Sequence, residues 1–194
     1  MAVDATVALA TLAEAKAFIK KTDDKDVSVL EVIMNAVGDL FNQHTDRHLL
    51  AATYTALYLD GNGERELRLP NYPVSTLTSV YEDEDPLTEG IGYDFMAYLD
   101  TGRLSKPVGE RWMWGPKTIK VTYTAGYSLS STPLIPNDLK LAYLIQVGEF
   151  WQKFLHASWG ELSRSLTGQS VTVTEKEILP IVKTMLLKHR RLGL

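Results

Sequence analysis

Apolar residues recur at helical spacing near both ends of the chain and at strand spacing in its middle, and this change of period predicts the elements. Thr11-Leu12-Ala13-Glu14 is a capping-box pattern, and Leu12, Ala15 and Ile19 continue it as a short helix that dies at Lys20-Lys21-Thr22-Asp23-Asp24. Leu30, Ile33, Met34, Val37, Leu40, Phe41 and His44 then share one stripe, with Asp26 and Ser28 as caps and Glu31 three residues after Ser28. Gly38 inside that helix predicts a close approach of neighbouring backbone.

From about residue 50 the pattern alternates. Thr53 to Leu59 is β-branched and aromatic, and Leu67 and Leu69 flank Arg68. Between them Asp60-Gly61-Asn62-Gly63 predicts a β-hairpin. Leu77 to Tyr81, Tyr93 to Leu99 and Thr118 to Thr124 read as further strands, with breaks at Glu82-Asp83-Glu84-Asp85-Pro86 and Asp100-Thr101-Gly102. Helix returns at Pro136, followed by Leu139, Ala142, Tyr143, Val147, Phe150, Trp151 and Phe154, and Leu141, Leu144 and Ile145 widen its face. Gly160 to Gly168 reads as a loop, and Pro180 opens a short last helix with Ile181, Val182, Met185 and Leu186. These periods predict an α+β fold. Its body is mainly helical, with long helices near 28–45 and 136–157, an antiparallel β insertion and a short C-terminal helix. The expected organisation is one domain over 1–194, a β-rich insertion at 50–124 and a C-terminal docking tail at 169–194.

Composition adds exclusions. Of 194 residues, 45% are apolar and 23% charged, which is ordinary globular usage. With no cysteine, disulfides, thiolate metal sites and a cysteine nucleophile are excluded. No uncharged apolar run reaches the roughly 20 residues of a membrane helix. Met1-Ala2-Val3-Asp4 lacks the basic start of a signal peptide, so the expectation is a protein that stays in the cytoplasm of its producing cell. The net charge of −4 is unevenly spread: residues 1–100 carry 7 Lys/Arg against 18 Asp/Glu (−11), and residues 101–194 carry 13 against 6 (+7). Three readings stay open: a nucleic-acid-binding half, opposite faces that attract between copies, or halves that interleave in one fold.

Candidate chemistry is thin. His44 and His48 are four apart, a metal-binding spacing, but lack the Glu after the first His and stand near a helix end. Asp60, Asn62 and Glu64 imitate the start of a calcium loop, with the glycine misplaced and Asn71 where the bidentate Glu belongs. Gly126-Tyr127-Ser128-Leu129-Ser130 departs from a nucleophile elbow at Ser130 and runs into a Ser/Pro-rich loop. The acidic run Glu82 to Asp85 reads as a solvated loop. Trp112 and Trp114, near Arg111 and Lys117, form either a base-stacking cluster or a packing patch. No Walker or dinucleotide motif is present. The expectation is no enzyme, no catalytic or metal residue and no cofactor.

The order of segments carries more. Thr11-Leu12-Ala13-Glu14-Ala15-Lys16 and the break Asp23-Asp24-Lys25-Asp26 precede a long helix running into Phe41-Asn42-Gln43-His44-Thr45-Asp46-Arg47-His48-Leu49. Val121-Thr122-Tyr123-Thr124-Ala125-Gly126-Tyr127 is followed by Ile135-Pro136-Asn137-Asp138-Leu139-Lys140 and an aromatic helix with Trp151. Ile178-Leu179-Pro180-Ile181-Val182 and Lys188-His189-Arg190-Arg191 close the series. Over roughly residues 10–50 and 115–194 this resembles the head–tail connector (adaptor) proteins of tailed double-stranded DNA phages and prophages.

The resemblance implies a structural virion protein, assembled in the bacterial cytoplasm and placed at the head–tail junction. It implies a homo-oligomeric ring that meets the portal protein and a tail-completion protein. Genomic DNA passes through its lumen with only non-specific contact, and no membrane is involved. It also implies that the C-terminal segment docks onto ring neighbours or the portal, through Ile181, Val182, Met185, Leu186, Lys188, Arg190 and Arg191; the alternative is that this helix caps its own core. Two other function classes stand beside it: a nucleic-acid-binding accessory module using the basic C-terminal half, and a metal-dependent hydrolase around His44 and His48.

Overall fold

The computed structural model describes residues 2–156, 163–166, 169–172 and 178–191. They form α1 (Leu12–Phe18), α2 (Val27–Thr45), β1 (Ala52–Gly61), β2 (Glu66–Arg68), β3 (Val74–Glu82), β4 (Asp85–Leu87), β5 (Met96–Tyr98), β6 (Arg103–Ser105), β7 (Gly115–Ala125), α3 (Asn137–Leu155), β8 (Ser163–Leu166), β9 (Gln169–Thr172) and α4 (Pro180–Leu187). The chain divides into two compact units. One is Met1–Thr45 with Pro136–Arg190, the other Asp46–Ile135 with Arg191–Leu194.

In the helical unit the predicted stripe of α2 is the buried one: Leu30, Ile33, Met34, Val37 and Phe41. It meets Leu139, Ala142, Tyr143, Val147 and Trp151 of α3. Phe41 and Tyr143 pack edge to face at 5.8 Å, and the Tyr143 hydroxyl donates to the Met34 carbonyl at 2.7 Å, so this buried phenol is satisfied. Thr11 caps α1 in a complete capping box with Glu14, which also pairs with Lys140 of α3. A Cβ on Gly38 would lie 2.3 Å from the Val7 carbonyl oxygen, which is the close approach its position predicted.

The strand-rich unit holds two antiparallel sheets, one ordered β1-β7-β3-β4 and one ordered β2-β6-β5. On β7 alternate residues Ile119, Val121, Tyr123 and Ala125 are fully buried. They join Leu67, Leu69, Val74, Val80, Phe95, Leu104 and Trp112 in one core.

Three expectations are corrected. The body is not mainly helical: nine strands against four helices organise the described residues, and the strand region has its own core. The hairpin at Asp60–Gly63 does not form, because β1 pairs with β7 and β2 with β6. The turn instead carries the chain from one sheet to the other. Asn62 accepts from the Glu64 amide at 3.0 Å and donates to the Glu66 carbonyl at 2.8 Å, and a Cβ on Gly61 would lie 1.7 Å from the Met113 carbonyl oxygen. Third, the expected loop Gly160–Gly168 contains β8, paired to β9; its other residues lie outside the described ones. A fourth feature went unseen. Asp83 and Glu84, both at positive φ (50° and 68°), turn β3 into β4 within the acidic run.

The Gly38 contact generates a prediction. Gly38→Ala lowers stability by about 1–3 kcal/mol through overpacking against backbone, overriding the roughly 1 kcal/mol that alanine gains in helix propensity. Urea unfolding followed by circular dichroism measures it; a more stable variant means that α2 and residue 7 do not touch.

Candidate functional site

The catalytic candidates take up structural roles. His44 sits in the last turn of α2 with Nε2 buried and without a hydrogen-bond partner. Burial, with Lys183 and Arg190 nearby, holds its imidazole below the ordinary 6.5, an environment that disfavours added positive charge. His48 lies past the helix end, its amide donating to Asn71 Oδ1 at 2.9 Å. Among the described residues no three His, Cys, Asp or Glu gather as a metal site. Ser128 Oγ accepts from the amides of Ser130 (3.2 Å) and Ser131 (3.1 Å), which makes it a turn residue. Asp60 Oδ1 accepts the Lys117 amide at 2.8 Å. The tryptophans part: Trp112 is buried in the core, while Trp114 is 80% exposed.

Charge is settled inside the chain. Five ion pairs join an acid from 1–100 to a base from 101–194: Glu14–Lys140, Glu64–Arg111 at 3.5 Å, Glu66–Arg103 at 2.9 Å, Glu82–Lys106 at 2.8 Å and Glu84–Lys120. The Lys106 pair is the buried one; its ammonium also stands over the Trp112 ring at 4.8 Å, and Glu82 accepts the Met113 amide at 2.7 Å. By unit, the helical part has 11 bases against 12 acids (−1) and the strand-rich part 9 against 12 (−3). The opposite-signed halves of the sequence therefore interleave.

The C-terminal helix divides its residues between two environments. Val182 and Leu186 are fully buried against the helical unit, where α4 meets α3 and α2. Met185 is half-buried; Ile181 (56% exposed), Leu187, Lys188 and Arg190 face solvent. Gln146, itself buried, accepts the Leu179 amide at 3.1 Å, and His189 Nε2 stands 3.3 Å from Asp138 Oδ2, so both ends of α4 are tied to α3. Burial alone would raise the Asp138 carboxyl, but His189 and the Leu139 amide hold it below its usual value.

In the strand-rich unit, two adjoining cavities of about 410 and 960 Å³ share Arg68 and Arg191. The larger is lined by Tyr58, Leu59, Asp60 and Gly61 of β1 and by Glu66, Leu67 and Arg68 of β2. Consecutive residues line it on both sides. A sheet face would present alternate ones, so the cavity is a slot between two strand edges. Both strands are outermost in their sheets. The Arg68 and Arg191 side chains have no hydrogen bond or ion pair among the described residues, whereas Glu64 and Glu66 do. This slot was missed at the sequence level. Its one signal is a ten-residue strand, Ala52–Gly61, with no lysine, arginine or proline.

The family model for head completion protein matches residues 8–192. No match was found among curated proteins. The fold is similar to three solved chains, each covering 100% of this chain and 94% of the other. The first is from the neck of an empty GTA particle computed with C6 symmetry, at TM-score 0.57 and 16% identity. The second is from the virion of a native gene transfer agent (GTA) particle, at 0.55 and 18%. The third is from the neck of a native GTA particle computed with C12 symmetry, at 0.54 and 17%.

Two predictions follow from α4 and α2. Leu186→Ala costs about 2–5 kcal/mol in urea unfolding, while Ile181→Asp, on the exposed side, leaves the midpoint unchanged within error; equal effects would mean α4 is not seated as described. Because the folded His44 pKa is depressed, the unfolded chain takes up that proton first, so stability falls as pH drops below 6.5. Unfolding midpoints between pH 8 and 5 on the wild type and His44→Gln test it, and the variant should show the flatter profile over that range (about three pH units around the ordinary histidine value).

Proposed function

The chain belongs to the head completion protein family and is a structural head–tail connector subunit of a phage-like particle, and from that premise we propose that it works as one subunit of a closed ring at the head–tail junction. The ring joins the portal vertex to a tail-completion protein and lets genomic DNA pass, touching it only through non-specific electrostatics. The subunit assembles in the bacterial cytoplasm and acts by contact, without turnover or cofactor. The observation that carries this reading is a family match spanning residues 8–192, backed by a fold shared over its whole length with neck proteins solved in ring symmetries.

The surface supports it. Ile91, Val108 and Trp114, on loops of the strand-rich unit, are 80–90% exposed, and apolar side chains so bare suit contact with other subunits. On the helical unit, Ile181, Met185, Lys188 and Arg190 form the outward part of the docking segment, and Val182 and Leu186 fasten it. A nucleic-acid module built on the basic C-terminal half loses its support, since five of that half's cations pair with carboxylates of the other half.

Native mass spectrometry and negative-stain microscopy of the protein, alone and mixed with the portal of the same particle, test the reading. The expected result is a closed ring, formed alone or on the portal, that Ile181→Asp weakens. A chain that stays monomeric in both samples and binds duplex DNA with a submicromolar Kd near physiological salt overturns it, because that is tighter than ordinary non-specific binding.

A further inference from the structure

The slot between β1 and β2 has the chemistry of a strand receptor. A strand edge offers alternating amide donors and carbonyl acceptors, and only another extended backbone satisfies both kinds; phosphates would meet the donors alone. Edges elsewhere in the unit are blunted. β4 has three residues including Asp85 and Pro86, β2 carries Glu66 and Arg68, and β5 is three residues long. On β1 the one charge is Asp60.

A second element lacks a partner. β8 and β9 form a two-stranded sheet of their own, so β9 is paired on one side only. A two-stranded ribbon by itself is marginal in water. From β9 the sequence continues Gln169-Ser170-Val171-Thr172-Val173-Thr174-Glu175-Lys176-Glu177, alternating β-branched residues that end in two acids. Residues 173–177 lie outside the described ones.

We propose that the slot receives residues 169–177 of a second copy as an added strand, with Glu175 and Glu177 meeting Arg68 and Arg191. The charges are complementary: the two guanidinium groups at the junction of the cavities lack partners, and the incoming segment ends in carboxylates. The two patches are different surfaces of one chain, which is what a head-to-tail ring contact requires. The inference rests on the ring reading and deepens it, by naming one contact between neighbours.

The test uses the full-length protein and a fluorescent synthetic peptide of residues 169–178. Fluorescence anisotropy should show saturable binding. Arg68→Glu with Arg191→Glu should weaken it roughly tenfold or more, the loss expected for charge-assisted hydrogen bonds. A peptide with Glu175→Lys and Glu177→Lys should bind that double variant again, which a merely misfolded protein would not do. No binding, or binding indifferent to charge, overturns the proposal.

The chain has no cysteine, so disulfide trapping reads the geometry directly. Tyr58→Cys protein oxidised together with Thr172→Cys protein should give a cross-linked dimer. The two substitutions in one chain, closing within that chain at high dilution, would mean that each copy fills its own slot and would overturn the second-copy assignment. A ring that forms without the cross-link removes this inference and leaves the ring reading standing. Cross-linked pairs that never close into a ring do the reverse.

Discussion

The strand-rich unit depends on β7. It lies between β1 and β3, and its inward residues Ile119, Val121, Tyr123 and Ala125 are wholly buried. Both flanking strands take their register from it: Ala125 stands opposite Ala52 on one side and Val74 on the other. A slip of one residue would turn every buried side chain to the opposite face, so the buried row fixes both pairings at once. Tyr54 stacks on Tyr123 at 5.0 Å, an aromatic cross-strand pair of the kind that stabilises a register. The Glu82–Lys106 pair is secondary in energy, since a buried ion pair gains little net stability, but it ties the end of β3 to the segment that leads into β7.

What could be read in the sequence follows from distance along the chain. The stripe of α2, the capping box at Thr11 and the need for a glycine at position 38 are local or single-face properties, and each has its counterpart in the structure. Strand pairing is not local. Asp60–Gly63 has the residues of a hairpin turn, yet β1 joins β7 more than fifty residues away, because the buried face of β7 offers it more apolar area than the short β2 could. Conversely, Asp83–Glu84 makes a tight turn with no glycine at all, held by the strands it connects, and no turn signal marks it. The same non-locality is why the body reads as mainly helical from periodicity alone: long helices announce themselves, while β2, β4, β5 and β6 have three residues each and show no period.

The charge asymmetry teaches a related point. Counted along the sequence, the two halves differ in sign and suggest a basic surface; in space, acids of the first half sit beside bases of the second. Exposed pairs of this sort contribute little stability each. Their effect is on recognition, because cations already matched leave few free to hold a polyanion. Of the arginines in the strand-rich unit, Arg103 and Arg111 are matched in this way, and Arg68 and Arg191 stand out by having no match.

An uncharged strand ten residues long would ordinarily recruit any extended chain, so its freedom must be limited some other way. On β1 the limit is in the backbone. The register with β7 breaks between Tyr54 and Leu57 and again between Leu59 and Gly61. In the first break Ala56 adopts a positive φ of 49°, and its amide turns to the Thr122 hydroxyl at 3.1 Å. Bulges of this kind bend and twist a strand, and they interrupt the row of groups that a stranger could pair with. Only Leu57 to Leu59 runs in regular register between the two breaks, and Tyr58 and Leu59 of that stretch line the slot. The edge is thus open over a few residues and closed by shape on either side. Backbone hydrogen bonds over so short a run are too few to select a partner by themselves. Selection has to come from the side chains at the mouth, and the two unpaired arginines are placed there.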